Sequence, residues 1–311
     1  MGFTPTDYIW FNGTLVPWPE ARVHVLAHGL HYGTGVFEGM RSYPTPDGPA
    51  VFRLDAHLER FYASAELYDL EIPYTRDVLH EATLELIRAN RLESAYLRPI
   101  AFFDAATLSV WTRECPVTVA IAGFPTGAYH AGGPDHGVRV TMSPIRKFDN
   151  SAMPAWAKAC GQYINSARAV NEAQRRGFDE AILLNTQGQV AEGSGENLFV
   201  VKDGTLVTND RDASILMGIT RASILELARD LSIPTRVAPL SVADMVNADE
   251  LFFSGTAVEV TPIREVDGTV IGDGKPGPMT RRLQQTFNEV VRGGRAEYRH
   301  WLAYTRQTVA S

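Results

Sequence analysis

The sequence predicts two α+β domains, and three observations carry that expectation. Candidate strands and amphipathic helices are interleaved without a strict β-α-β rhythm. A Gly- and Pro-rich stretch, "PTGAYHAGGPDHG" over residues 125–137, separates two such mixed halves. A length of 311 residues suffices for one large core or two medium ones. The expected division is therefore a small domain over 1–124, a linker over 125–137 and a larger domain over 138–311.

In "DYIWFNGTLVPW", Asn12-Gly13 stands between two apolar-aromatic runs, which predicts a β-hairpin. Residues 55–70 open on Asp55 as a helix-cap candidate and carry Leu58, Phe61, Tyr62, Ala65 and Leu67 at helical spacing. "TRDVLHEATLELIRAN" reads as a second amphipathic helix, and "AYLRPIAFF" and "PVTVAIAGF" read as strands. Beyond the linker come a strand over Val138–Met142, a helix around 162–176 and the short, Gly-punctuated strands of "EAILLNTQGQVAEGSGENLFVVKDGTLVTN". A helix over Thr220–Leu231, two strands in "ELFFSGTAVEVTPIREVDG" and a helix over 278–292 complete the reading.

Composition narrows the function. A net charge of −7 argues against a general nucleic-acid binder, and no apolar run approaches a membrane span. Cys115 and Cys160 are too few for a disulfide scaffold or a cysteine zinc site. The start lacks a basic region followed by an apolar block, so a cytoplasmic location is expected. "GTGVFEG" has G-x-G-x-x-x-G spacing and opens no clear β-α-β unit, which argues against a dinucleotide fold. His24, His28 and His31 lie among glycines without a cysteine, so they are read as core or loop histidines and no metal is expected.

Only four of the 29 basic residues are lysines. Lys147, Lys202 and Lys275 have charged or turn-forming neighbours and read as exposed loop charges. Lys158 differs, because "PAWAKACGQY" surrounds it with small and apolar residues and no charge partner. One account is a stem crossing an apolar surface with its ammonium in water. The other is a nucleophilic amine: desolvation and nearby cations disfavour the ammonium and free the lone pair for a carbonyl. If that carbonyl belongs to pyridoxal phosphate, the chain must also supply an acid for the ring nitrogen and a site for the phosphate. Glu192, before the Gly-Ser-Gly turn of "QVAEGSGENLF", is the candidate acid. Gly218-Ile219-Thr220 at a helix start, the Gly-Thr turn of "FFSGTAVE" and Arg60 are candidates for the phosphate.

The segments "DYIWFNG", "VHVLAHGLHYGTGVFEGMRSY", "YLRP", "AKACGQY", "EGSGENLF", "GITR" and "SGTAVEVTP", in that order, resemble the branched-chain amino-acid aminotransferases of the fold type IV pyridoxal phosphate enzymes. The likeness runs over nearly the whole chain. It implies a small α+β domain and a larger domain with a β-barrel core, with the cofactor between them. It implies that Lys158 holds the cofactor, Glu192 binds the pyridine nitrogen and Tyr163 meets the phenolic oxygen. Arg60, Ile219, Thr220 and Thr256 would bind the phosphate. Tyr32, Phe37, Arg41, Tyr96, Arg98, Tyr129 and Ala257 would line the substrate pocket, with Tyr32 donated across the interface of a homodimer or higher homo-oligomer. The reaction implied is ping-pong transfer of an amino group from a branched-chain or related hydrophobic L-amino acid to 2-oxoglutarate. Two departures fall in the substrate pocket: Thr126 stands where many relatives have tryptophan, and the loop after "RPIAFF" reads "DAATLSVWTRECP" in place of a Gly-rich one. An (R)-selective amine transaminase or a D-amino-acid aminotransferase on the same fold therefore stays open.

Overall fold

The computed structural model of the chain describes residues 3–126 and 133–305. They fall into two compact units. The first gathers the described residues through 126, Ala157–Gly161 and those from Glu289 onward; the second gathers residues 133–156 and Gln162–Asn288. The division is thus not linear in the sequence.

The first unit opens with the expected hairpin, β1 (Tyr8–Phe11) and β2 (Thr14–Pro17). Asn12 at φ 44° and Gly13 at φ 96° supply the left-handed pair that a tight two-residue hairpin turn needs. Then follow α1 (His28–Tyr32), β3 (Gly35–Phe37), β4 (Met40–Tyr43), β5 (Ala50–Phe52), α2 (Leu54–Glu66), α3 (Arg76–Ala89), β6 (Ala95–Phe103) and β7 (Val117–Pro125). Helix α2 starts one residue before Asp55, and its N-cap is Arg53 in the left-handed region. Asp55 is therefore in the first turn, where its charge suits the helix dipole, and is not the cap. Thr75 does cap α3, its hydroxyl accepting from the Val78 N–H. Leu54, Leu58 and Phe61 of α2 and Leu79, Leu86 and Ile87 of α3 form a core with Leu97 and Ile121 of the sheet. Each such side chain contributes about 1.5–3 kcal/mol by leaving water.

The second unit runs α4 (Gly133–His136), β8 (Val138–Met142), α5 (Tyr163–Arg175), β9 (Glu180–Leu184), β10 (Val190–Gly193), β11 (Asn197–Lys202) and β12 (Thr205–Thr208). It continues with α6 (Ile219–Asp230), β13 (Thr235–Val237), α7 (Val242–Val246), β14 (Glu250–Gly255), β15 (Glu259–Val266), β16 (Thr269–Val270) and α8 (Pro278–Val291). Its nine-stranded sheet has the order β10-β9-β8-β15-β14-β11-β12-β13, with β16 on β15. The sheet is curled into a half-barrel. Buried Glu250 of β14 accepts from the Met279 and Thr280 N–H groups and the Thr280 hydroxyl, which satisfies the start of α8.

The last strand, β17 (Leu302–Tyr304), pairs with β5 in the first unit, which gives an eight-stranded sheet of order β17-β5-β4-β6-β7-β1-β2 with β3 on β6. This pairing is why the C-terminal segment belongs to the first unit and not, as its position in sequence suggests, to the second. The short Ala157–Gly161 segment joins the same unit by crossing Gly33, whose N–H closes α1 onto the Gly29 carbonyl. The Gly161 N–H donates to the Gly33 carbonyl at 3.0 Å. Gly33 has φ 67°, and a Cβ on it would lie 2.7 Å from the Gly161 Cα. We therefore expect Gly33→Ala to cost about 1–3 kcal/mol in strain and to lower the thermal midpoint, with an unchanged melting curve counting against the close crossing.

Candidate active site

Backbone hydrogen bonds hold Lys158 in the first unit. Its N–H donates to the Ser64 hydroxyl of α2 at 3.0 Å, and its carbonyl accepts from the Phe37 N–H of β3 at 3.0 Å. Ala159 bridges Val36, and Ala157 and Ala159 are buried at 1% and 5% exposure. The neighbours are small because the segment runs against a strand and a helix with no room for larger side chains.

The half-buried side chain ends with Nζ 5.0 Å from the centroid of the Phe37 ring. Arg98 lies 4.8 Å from the same ring and donates to the Tyr96 hydroxyl at 3.2 Å. Tyr96 in turn stacks on Phe124, and a Cβ on Gly39 would lie 2.0 Å from its hydroxyl. Burial, followed by the Arg60 charge, pushes the Lys158 amine down to about 8, against the opposing pull of Glu38 and Tyr96. At neutral pH such an amine has an appreciable unprotonated fraction, which an ordinary lysine lacks.

Arg60 donates through Nε and Nη2 to the two oxygens of Glu38, at 2.7 and 2.9 Å. Nδ1 of His57 lies 2.8 Å from Oε2 of the same carboxylate, which also accepts the Gly39 N–H. Burial opposes ionisation of Glu38, but Arg60 and His57 overcome it and hold its carboxyl well below the usual range. Burial likewise lowers His57, so the ring is neutral and donates.

The second unit carries its own cluster. Glu192 of β10 is 5% exposed and accepts from Lys147 Nζ at 2.5 Å, Asn197 Nδ2 at 3.2 Å and the Leu216 N–H at 3.0 Å. Asn197 also donates to the Leu216 carbonyl at 2.8 Å, which ties the start of β11 to the loop before α6. A Cβ on Gly218 would lie 2.0 Å from Asn197 Oδ1, so glycine is needed there. Gly218 is the N-cap of α6 and no side chain caps the helix. Thr220 therefore does not serve as an ordinary cap, and the first N–H groups of α6 lack intrahelical partners. Asn197 pairs in register with Ser254, which brings the turn holding Thr256 and Ala257 alongside. Ser254 Oγ is buried with no hydrogen-bond partner in the described residues.

Among the predicted residues, the structure brings Phe37, Tyr96, Arg98 and Lys158 together in the first unit, with Arg60 near enough to act on the amine. Arg41 stands on β4 with its guanidinium 5.3 Å from the Tyr43 ring. Tyr32 is 44% exposed, and its hydroxyl donates to the Leu108 carbonyl at 2.6 Å. Tyr163 opens α5 and is half-buried. Tyr129 lies outside the described residues.

Lys147 corrects the sequence reading. It is 6% exposed and ion-paired to Glu192, not a loop charge in water. Its partner lies 45 residues away, so no local pattern marks it. Glu38, His57, Ser64 and Asn197 were also missed. His57, Arg60 and Ser64 fall three and four residues apart on one face of α2, a signal that could have linked them.

The donor set suits a cofactor with a carbonyl, a ring nitrogen and an anionic group. Taken unit by unit, the first offers a depressed amine to a carbonyl, and the second offers a buried carboxylate to a ring nitrogen and an uncapped helix start to an anion. Among the described residues, no cluster of His, Cys, Asp or Glu could hold a metal, and no helix is long and apolar enough to cross a membrane.

The amino-transferase class IV family model matches residues 35–266. The branched-chain-amino-acid aminotransferase of Pseudomonas aeruginosa is 44% identical over 294 residues, covering 94% of this chain and 95% of the relative. The branched-chain amino acid aminotransferase of T.th. with pyridoxamine 5'-phosphate superposes with a TM-score of 0.94 at 44% identity, covering 97% of this chain and 99% of that one. The same enzyme complexed with N-(5'-phosphopyridoxyl)-L-glutamate, and with 4-methylvaleric acid, superposes with TM-scores of 0.93 at 43% identity, with the same coverage.

One measurement tests the lysine environment directly. In the cofactor-free protein, acylation of Lys158 should reach half its maximum near pH 8, because only the neutral amine attacks. An exposed lysine in a control peptide should do so near ~10.4. Coincident profiles in peptide mapping would show the amine to be ordinary.

Proposed function

The chain belongs to the class IV aminotransferases, and from that premise we propose that it moves the amino group of a branched-chain or related hydrophobic L-amino acid to 2-oxoglutarate, using pyridoxal phosphate. The observation that carries the reading is the desolvated Lys158 amine, depressed to about 8 and anchored through its backbone to Ser64 and Phe37. The bound cofactor supplies an electrophilic carbonyl and a ring that accepts electrons from the substrate Cα.

Lys158 would hold the cofactor through its Nζ. Its freed Nζ would then be the base positioned to move the proton of the substrate Cα. Glu192 would bind the pyridine nitrogen and favour its protonated form, and Tyr163 would meet the phenolic oxygen. Ile219 and Thr220, through the uncapped start of α6, and Thr256 would hold the phosphate, and Arg60 would add a cation to it. A guanidinium fork suits a carboxylate, so Arg98 with Tyr32 takes the substrate's acid group. Phe37, Arg41, Tyr96, Tyr129 and Ala257 complete the pocket. The reading draws on the glutamate adduct and 4-methylvaleric acid bound by the T.th. relative, one carrying a second carboxylate and the other a branched aliphatic chain.

We also propose a homodimer with Tyr32 at its interface. Its support is exposed apolar surface around α1 and on the loop between β6 and β7: Val25 at 70%, Leu30 at 62%, Val110 at 78% and Trp111 at 63% exposure. The Tyr32–Leu108 hydrogen bond ties that loop to the helix. A cytoplasmic location accords with two free cysteines.

The purified protein should be yellow, bleach with borohydride and lose turnover in Lys158→Ala by about 10^3-fold or more. In a panel with 2-oxoglutarate and pyruvate as acceptors, L-leucine and L-valine should exceed D-alanine and (R)-1-phenylethylamine. Activity confined to the latter pair would replace this substrate assignment with one of the alternatives. Val110→Asp should shift the protein to monomer in light-scattering chromatography, and an unchanged mass would count against that face.

A further inference from the structure

Helix α2 and the residue after β3 form a buried ionic cluster whose cost needs a reason. Glu38 is fully buried, His57 is 1% exposed and the Arg60 side chain is 13% exposed. Apolar residues of similar volume commonly stabilise a core as well as, or better than, a buried ion pair. Stability alone therefore does not account for placing three polar side chains there. Their position does suggest an account. Ser64, one turn beyond Arg60, holds the Lys158 backbone, so one helix face carries both the lysine's anchor and the guanidinium that acts on its amine.

Glu38 takes the Nε–Nη2 edge of Arg60 side-on, with one hydrogen bond to each oxygen. This fixes the plane of the guanidinium and commits that edge, so a ligand of Arg60 must meet another one. His57 and the Gly39 N–H hold Oε2 from other directions, so the carboxylate cannot turn without breaking four hydrogen bonds. Gly39 follows Glu38 directly, and the Tyr96 hydroxyl fills the space where its side chain would be. The acid is thus set by β6 as well as by α2.

We propose that Glu38, braced by His57, is a positioning residue for the cofactor phosphate: its carboxylate aims the Arg60 guanidinium and keeps that cation from collapsing onto other acceptors. The proposal rests on the reading of Arg60 as a phosphate ligand. It adds two residues that act through Arg60 on how tightly the phosphate is held.

The test compares binding of pyridoxal 5'-phosphate and of pyridoxal, which lacks the phosphate, to the full-length apoprotein. Glu38→Gln should weaken the phosphorylated ligand by about 10- to 100-fold, the effect of losing a hydrogen bond to a charged group. It should leave pyridoxal within about twofold of wild type, since that ligand makes no phosphate contact. Arg60→Gln should show the same selectivity, and the double variant should be no weaker than Arg60→Gln alone. His57→Leu, which keeps the Glu38–Arg60 pair, should lose about 3- to 10-fold for the phosphorylated ligand only. That variant decides the matter if Glu38→Gln does not fold. Equal loss for both ligands, or additive loss in the double variant, overturns the positioning role. If Arg60→Gln binds normally, Arg60 is no phosphate ligand and the underlying reading falls too. If Arg60→Gln loses affinity while Glu38→Gln and His57→Leu do not, this proposal alone falls.

Discussion

A primary amine reacts with a carbonyl near neutral pH only if its proton is held weakly, and the position of the Lys158 segment produces that condition. Burial removes the water that would solvate an ammonium, and Arg60 adds a repelling charge. Neither effect would persist if the segment moved, so the backbone bonds to Ser64, Phe37 and Gly33 are part of the chemistry. The two glycines that cross at 33 and 161 make those bonds reachable. Local backbone geometry and the reactivity of one nitrogen are therefore a single matter in this protein.

The second unit solves a different electrostatic problem. Glu192 must stay buried and still present an acceptor, and it does so with a cation, an amide and a backbone N–H around it. Asn197 connects that acid to the loop leading into α6, so the carboxylate and the anion-favouring helix start are held by one side chain. In both units a carboxylate is held beside a basic side chain, Glu38 with Arg60 and Glu192 with Lys147. Such pairs stabilise little by themselves, but they fix direction, which is what a binding group requires.

Much of the fold was legible in the sequence because it is written in local patterns. The hairpin at Asn12-Gly13, the strands Ala95–Phe103 and Val138–Met142 and the helices after residues 75 and 218 follow from turn chemistry and periodicity. The Asp55 cap did not follow, because Arg53 takes the left-handed conformation and the helix begins at Leu54. The division into units was also beyond local patterns, since pairing of β17 with β5 joins segments some 250 residues apart.

For the site, the sequence by itself singled out Lys158 through its small, uncharged neighbours, and placed Glu192 and Thr220 beside glycine turns at element ends. It did not distinguish Lys147 from an exposed charge, and it assigned no role to Glu38 or His57. Those matters were decided only by tertiary structure. Whether a charged side chain is buried depends on what packs over it, and whether it is tolerated there depends on a partner brought up by a distant strand or helix. Lys147 meets Glu192 across 45 residues, and Glu38 meets Arg60 across 22. Composition and spacing carry information over a turn or two of chain; the pairing of buried charges is settled by the register of the folded elements.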